Sequence, residues 1–283
     1  MDWLNSIVQG VLVGGLYALF AAGLSLIFGV MRLVNIAHGD LIVLAAYLAL
    51  VATQTLGIGP LASLLVIVPL MALLGYALQR LLLNRSNNVL AIVLVTFGLS
   101  VIIQYSLQGV YGADTRLLSG GGIQTATIIV GGGINIGVLP LTIFIAAVAL
   151  VSVLDLLLYR SRLGARIRAV SDDTASANLI GLPSARIYAV AMGIVGVTIA
   201  ICAAFMSVWT NFDPTSGPNR LLIAFEAVVL GGLGSLWGTL AGGIIVGVAQ
   251  SVGAHFDAGW QLLAGHLVFL VVFLIRPQGL FPK

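Results

Sequence analysis

The chain has 283 residues, of which 60% are hydrophobic and only 7% charged, with a formal net charge of +3. A soluble domain carries roughly 25% charged residues, and so few charges cannot cover a water-facing surface, so a soluble globular domain is excluded. The small positive balance belongs to loops and points to no nucleic-acid partner.

The charges are also unevenly spread. No Asp, Glu, Lys or Arg occurs in 3–31, 41–79, 86–113, 117–154, 187–212 or 227–255. A membrane-spanning helix needs about 20 mostly apolar residues, so most of these windows hold one span and the second has room for two. The apolar runs are continuous and do not alternate, which favours helices over a barrel. In chain order the pattern predicts helices at about 7–30, 41–57, 61–83, 89–111, 138–159, 187–209, 222–252 (broken) and 258–275. The expected fold is an all-α polytopic transmembrane bundle of about eight membrane segments, with broken or re-entrant helices. The first stretch lacks a basic n-region and a small-residue cleavage site at signal-peptide distance, so it is expected to be a retained span. Cys202 lies inside an apolar run and has no second cysteine to pair with.

Lys and Arg in short loops mark the cytoplasmic side. Arg160, Arg162, Arg166, Arg168 and Arg186 place the 160–186 loop there, with Arg80, Arg85 and Arg276 on the same side. The segments 113–137 and 210–220 then face outward. Parity of crossings calls for a half-helix at 222–232 that enters and turns back at Gly231-Gly232-Leu233-Gly234. In the outer segment, 125–130 followed by Gly131-Gly132-Gly133 reads as a small hairpin. Those glycines are no phosphate loop, because a P-loop ends in Gly-Lys-Ser/Thr and the single lysine is Lys283. ATP hydrolysis by that route is not expected of this chain.

Three constellations carry chemistry. The first is Asn35-Ile36-Ala37-His38-Gly39-Asp40, with Arg32 just before it. It is either a helix discontinuity lining a polar route or an interfacial turn with Asn35 or Asp40 capping the next helix. The second is Gly231-Gly232-Leu233-Gly234-Ser235 with Gly238, Gly242, Gly243 and Gly247. Small residues four apart let helices approach closely, while the double glycine reads better as a break. Glu226, just upstream, is either a functional intramembrane carboxylate or a group that reaches water or Arg220. The third is the cytoplasmic loop. Ser171-Asp172-Asp173 supplies cap chemistry for one short helix at 175–180, with Gly181 at its C′ position and Pro183 just beyond. So short a helix is marginal alone, so it reads as a docking element, with Arg166, Arg168, Asp172, Ala177 and Gly181 as candidate contacts. The plainer alternative is a basic anchor at lipid headgroups. His255 and His266 look isolated, Asp155 is expected to snorkel or pair with Arg160, and neither metal-ligand spacing nor a catalytic arrangement stands out.

At these residues the chain resembles the LivH-type permease subunits of bacterial branched-chain amino-acid ABC importers. The run 29–40 followed by Ala45-Ala46-Tyr47 is similar to that family's N-terminal signature. Arg168-Ala169-Val170, Asp172, Ala177 and Gly181 resemble its cytoplasmic loop, the 231–238 glycine run its late motif, and Arg276-Pro277-Gln278-Gly279-Leu280-Phe281 its ending. The leading Glu of the broader importer loop signature is missing, as it commonly is in this family. The resemblance covers essentially the whole chain and implies one permease domain over 1–283 with a coupling loop at 160–186, in a bacterial inner membrane. It implies a homologous second permease subunit, two ATP-binding subunits and an extracytoplasmic substrate-binding protein as partners, with no cofactor. The pathway or gating candidates are then Asn35, His38, Gly39, Asp40, Glu226, Gly231, Gly232 and Gly234. Urea or a short amide is the alternative cargo, and an ion-coupled secondary transporter the alternative class.

Overall fold

A computed structural model describes residues 2–85, 88–130 and 134–281. Leu, Ile, Val, Ala and Gly fill long segments in which each backbone N–H can be paired only within its own helix, so the chain folds almost wholly into helices. They are α1 (Asp2–Met31), α2 (His38–Leu56), α3 (Leu64–Leu81) with a 3₁₀ turn at Leu83–Arg85, and α4 (Val89–Tyr111). A short α5 (Gly122–Thr125) leads into strands β1 (Thr127–Val130) and β2 (Ile134–Gly137), then α6 (Val138–Arg160), α7 (Arg162–Asp172) and α8 (Thr174–Leu179). The remaining helices are α9 (Ser184–Trp209), α10 (Gly217–Gly231), α11 (Leu236–Phe256) and α12 (Trp260–Ile275). Seven are long and apolar enough to cross a membrane, and α10 and α12 are shorter, with 15 and 16 residues.

The centre of the bundle is α1 and α9, with α2, α10 and α11 packed around them. The outer helices α3, α4, α6 and α12 turn large apolar side chains outward, such as Leu65, Val110 and Ile145. A soluble protein does not leave such a surface bare, whereas lipid covers it. α1 and α11 run antiparallel along their whole length. A methyl added at Gly14 would lie 2.5 Å from the Ile244 Cα, and one at Gly247 only 2.4 Å from the Gly10 carbonyl oxygen. At the far end, the Thr239 hydroxyl donates to Ser25 (2.8 Å), and Gly234 lies against Gly29.

This contact corrects one expectation. The turn after α10 is not in mid-membrane with the chain returning outward. It lies at the end of α1, and α11 crosses the full bundle. The even number of crossings is kept instead by α10 together with the irregular 210–216 segment before it, which jointly make one crossing. The ends then sort by charge. Every arginine except Arg116 and Arg220 lies at the end where α1 stops and α9 starts, which the positive-inside tendency assigns to the cytoplasm. The start of α1 lies at the opposite end beside the hairpin, where the Gln9 amide donates to the Asn135 carbonyl (2.6 Å).

The hairpin expected at 125–130 is present, with Ile128 paired to Ile136 and Thr127 to Gly137. Its Gly131-Gly132-Gly133 and the terminal Lys283 lie outside the described residues. The cytoplasmic loop holds more structure than expected. An eleven-residue α7 precedes the short helix, which spans Thr174–Leu179 and is capped by the Asp173 carboxylate accepting from the Ala175 and Ser176 amides. Asp155 does not pair with Arg160, since the ion pairs among the described residues are Arg116–Asp114 and His266–Glu226.

Close backbone approach makes a direct prediction. A valine at Gly243 would push its Cβ to 2.8 Å from the Ala18 nitrogen, and such overpacking costs roughly 1–3 kcal/mol. Gly98→Ala on α4 meets nothing within 4 Å and gains up to about 1 kcal/mol in helix propensity. Thermal unfolding of the purified chain in detergent is expected to fall clearly for G243V and to hold or rise for G98A.

Candidate functional site

α1 ends at Met31, and the chain does not turn directly into another full span. Residues 32–37 run back into the bundle without regular structure, ending in a turn at Ile36–Ala37, and α2 starts at His38 at mid-depth. The depth is fixed by its neighbours. The His38 Nε2–H donates to the Phe20 carbonyl (3.0 Å), and its ring packs beside Gly23 and Thr198, midway along α9. On the other side of the molecule, 210–216 descends from the outer end, held by a backbone bridge between Arg116 and Phe212 and by Phe212 edge-on to Tyr47. α10 then begins at Gly217, against the start of α2. A Cβ on Gly39 would lie 2.0 Å from the Gly217 carbonyl oxygen, and one on Gly217 equally close to Asp40 Oδ1. Two helix N-termini therefore meet inside the membrane, and each of these two contacts tolerates only glycine.

The sequence cluster 35–40 is thus a helix discontinuity. Neither Asn35 nor Asp40 is the N-cap of α2: that residue is Ala37, with no side-chain cap, and Asn35 shapes the turn just before it, its side chain accepting from the Ala37 amide (3.1 Å) and its carbonyl from the His38 amide (3.1 Å). Asp40 is in the first turn and buried, so it is no simple N-cap. Its Oδ1 accepts from the Gln104 amide (3.0 Å), and Oδ2 has no hydrogen-bond partner among the described residues. A carboxylate there is favoured by the partial positive charge of both helix N-termini. α4 supplies the rest of the polar lining. Thr96 accepts from the Ile36 amide (3.3 Å), and Ser100 accepts from Gln104 (3.2 Å). Reading the residues one segment at a time placed this helix at 89–111 but missed its polar face, although Thr96, Ser100 and Gln104 at four-residue steps in an apolar run mark one polar stripe.

Glu226 lies partway along α10 and is buried. It pairs with His266 on α12, not with Arg220, whose guanidinium donates to the Asn211 carbonyl (2.8 Å) and sits over the Phe20 ring. His266 is therefore not isolated, and neither is His255, which bonds Ser6 and packs on Trp3. Gly231, Gly232 and Gly234 are separated from Asp40 by the length of α10, about 22 Å at 1.5 Å per residue. They make the turn into α11. Gly232 and Gly234 adopt φ of 99° and 79°, and Gly231 is in backbone contact with Gly238. The last carbonyls of α10 are satisfied from an unexpected quarter, the chain's own end. The Leu280 amide donates to the Leu230 carbonyl (2.8 Å) and the Phe281 amide to that of Gly231 (3.2 Å).

The cytoplasmic candidates divide into two groups. Arg166 lines a groove with Gly181, Pro183 and Arg186, whereas Arg168 and Asp172 turn toward the end of α1 and the α10–α11 turn. Ala177 is the buried residue of α8, Gly181 has φ of 83°, and Leu179 and Ile180 stand 89% and 75% exposed. Hydrogen bonds from the Ser176 hydroxyl and from the Ser176 and Ala175 amides hold the Asp173 carboxyl below its ordinary range, so the cap is charged at neutral pH. Among the described residues no three His, Cys, Asp or Glu converge on a metal site.

Seven apolar spans, two helices that begin inside the bundle and a structured basic loop are the features of a multi-pass membrane transport protein. The family model for the permease component of branched-chain amino-acid transport systems matches residues 6–276, and the chain belongs to that family. It is similar to the high-affinity branched-chain amino-acid permease BraD of Pseudomonas aeruginosa, with 29% identity covering 99% of this chain and 96% of that one. It is also similar to LivH of Escherichia coli (25% identity, 99% and 96% covered) and to a probable LivH of Methanocaldococcus jannaschii (26%, 97% and 91%). No solved structure matches.

The Glu226–His266 pair makes a test of its own. His266→Leu leaves the buried Glu226 carboxylate without its partner, and because the His266 side chain is 39% exposed the loss is expected to be smaller than the roughly 3–5 kcal/mol of a fully buried pair. Glu226→Leu combined with His266→Leu is expected to recover most of that loss. Thermal unfolding of the two variants side by side reads the difference.

Proposed function

We propose that this chain is one of two membrane subunits of an ATP-driven importer for branched-chain amino acids, forming half of the translocation pathway. Membership of the permease family over 6–276, with relatives named for this transport matching nearly end to end, carries the reading. The chain is not itself an enzyme. A second, homologous permease, two ATP-binding subunits and an extracytoplasmic binding protein complete the machine, and the binding protein sets most of the cargo choice.

The route passes the junction of α2 and α10. Half-helix N-termini attract a carboxylate, while Asp40 attracts an ammonium, and an α-amino acid carries both. Asn35 and His38 hold the broken backbone, and Gly39 keeps the two helix starts in contact. Glu226 and the glycines 231, 232 and 234 set how α10 moves as the pathway opens. Energy enters through the 160–186 loop. Leu179 and Ile180 on and after α8 are apolar, exposed and unpartnered within the chain, as a helix that docks into an ATP-binding subunit requires. Closure of the ATP-binding pair pushes α8 and, through α7, the end of α1.

The complex reconstituted with its partners is expected to take up leucine with ATP and the loaded binding protein. Strong uptake driven by a proton gradient without ATP would put the ion-coupled reading first, since Asp40 and Glu226 are buried carboxylates. Uptake that urea or a short amide abolishes and leucine does not would change the cargo. For the loop, Gly181→Val adds about 1–2 kcal/mol of left-handed backbone strain. It is expected to reduce substrate-stimulated ATP hydrolysis severalfold, and normal stimulation in that variant would remove the coupling role from 174–181.

A further inference from the structure

A cavity of about 570 Å³ lies at the basic end, away from the α2–α10 junction. It is enclosed by the last turns of α1, the α6–α7 corner and the α10–α11 turn. Small-molecule sites span roughly 300–1,000 Å³. Its apolar wall includes Leu26, Leu158 and Leu233, and its polar groups include Arg32, Arg168 and Asp172.

Two features of the arginines have no explanation within the chain. The Arg168 guanidinium lies 5.1 Å from the centre of the Tyr159 ring, and one of its terminal nitrogens is buried with no hydrogen-bond partner among the described residues. A buried donor without an acceptor is unfavourable. Arg32 directly follows α1 with φ of 52°, the one non-glycine residue with positive φ among those described. Glycine is the natural residue at such a helix end. Arg32 is exposed and, among the described residues, forms no ion pair. What arginine adds over glycine at this position is a guanidinium in the cavity.

We infer that this cavity binds a free α-amino acid with an aliphatic side chain from the cytoplasmic side. The carboxylate meets Arg168 and Arg32, since planar guanidinium groups match carboxylates. The ammonium meets Asp172, and the side chain lies against Leu26, Leu158 and Leu233. The preference for an aliphatic side chain rests on the function proposed above. The site joins α7 to the ends of both α1 and α10, so an occupant restrains the segment that must move when α8 is pushed. Accumulated product thereby slows the cycle.

The test uses the complete membrane complex without binding protein, in sealed vesicles with the ATP-binding subunits facing out. Labelled leucine added outside is expected to bind saturably and to lower ATP hydrolysis. Leucinamide, which lacks the carboxylate, and 4-methylpentanoate, which lacks the ammonium, are expected to compete about tenfold more weakly or worse. Arg168→Gln and Arg32→Gly are each expected to weaken leucine binding by about tenfold. The second variant relieves backbone strain, so misfolding does not explain its loss. Absence of saturable binding overturns the inference, as does binding unchanged in both variants. Equal competition by inorganic phosphate or 4-methylpentanoate also overturns it, leaving a plain anion site. Normal leucine uptake with no cytoplasmic-side binding removes this inference alone. Cytoplasmic-side binding without leucine uptake removes the transport reading and leaves the cavity assigned.

Discussion

The contact of Gly39 with Gly217 holds together the start of two helices in the middle of a membrane, and the rest of the molecule is arranged around it. A helix that begins there exposes amide hydrogens that neither water nor lipid will satisfy. The chain answers with Asn35, which turns its side chain and its carbonyl back onto the start of α2, and with Thr96, which takes the Ile36 amide. Asp40 then sits where two partial positive charges converge, which is why a carboxylate can stay in so apolar a place. The arrangement is expensive in backbone terms and has no packing advantage over two continuous spans. Its result is a polar junction inside the bundle, lined by Asp40, Ser100 and Gln104.

A chain of contacts also links the basic loop to the segments that lead into that junction. The Ser171 hydroxyl on α7 donates to the Gly29 carbonyl at the end of α1 (3.1 Å), and Gly29 is itself against Gly234. Displacing α7 therefore loads the end of α1, the 32–37 segment and the α10–α11 turn together. Backbone contacts at Gly10, Gly14, Gly243 and Gly247 join α1 and α11 closely, whereas 32–37 and 210–216 are irregular. These are the segments that lead into α2 and α10.

Much of this was legible in the residues. Charge-free windows gave the spans to within a few residues, Gly181 and Pro183 gave the end of the short cytoplasmic helix, and polar residues at 35–40 marked a break. Three things were not. The helix at 162–172 was hidden because its arginines look like loop, although Leu163, Ile167 and Val170 keep helical spacing. The partner of Glu226 is 40 residues away, and no local pattern connects it with His266. The place of the α10–α11 turn depends on which helix the glycines of α11 face, and a four-residue spacing announces close packing without naming the neighbour. Pattern fixes elements; which faces meet is decided by contacts distant in sequence.

α10 illustrates why those distant contacts matter. It is short for a membrane helix and would be poorly anchored by apolar packing alone. It is instead tied at three depths: to Asp40 at its start, to His266 through Glu226 partway along, and to the returning chain end through the Leu230 and Gly231 carbonyls. A half-buried pair such as Glu226–His266 adds little net stability over apolar side chains of similar size, but it fixes which face of α12 meets α10. The backbone bonds from Leu280 and Phe281 do the same for the last turn, where carbonyls would otherwise lack partners. Held at both ends and between, α10 is also locked along its length to α11, where Gly242 lies against the Ala227 carbonyl and Gly238 against Gly231.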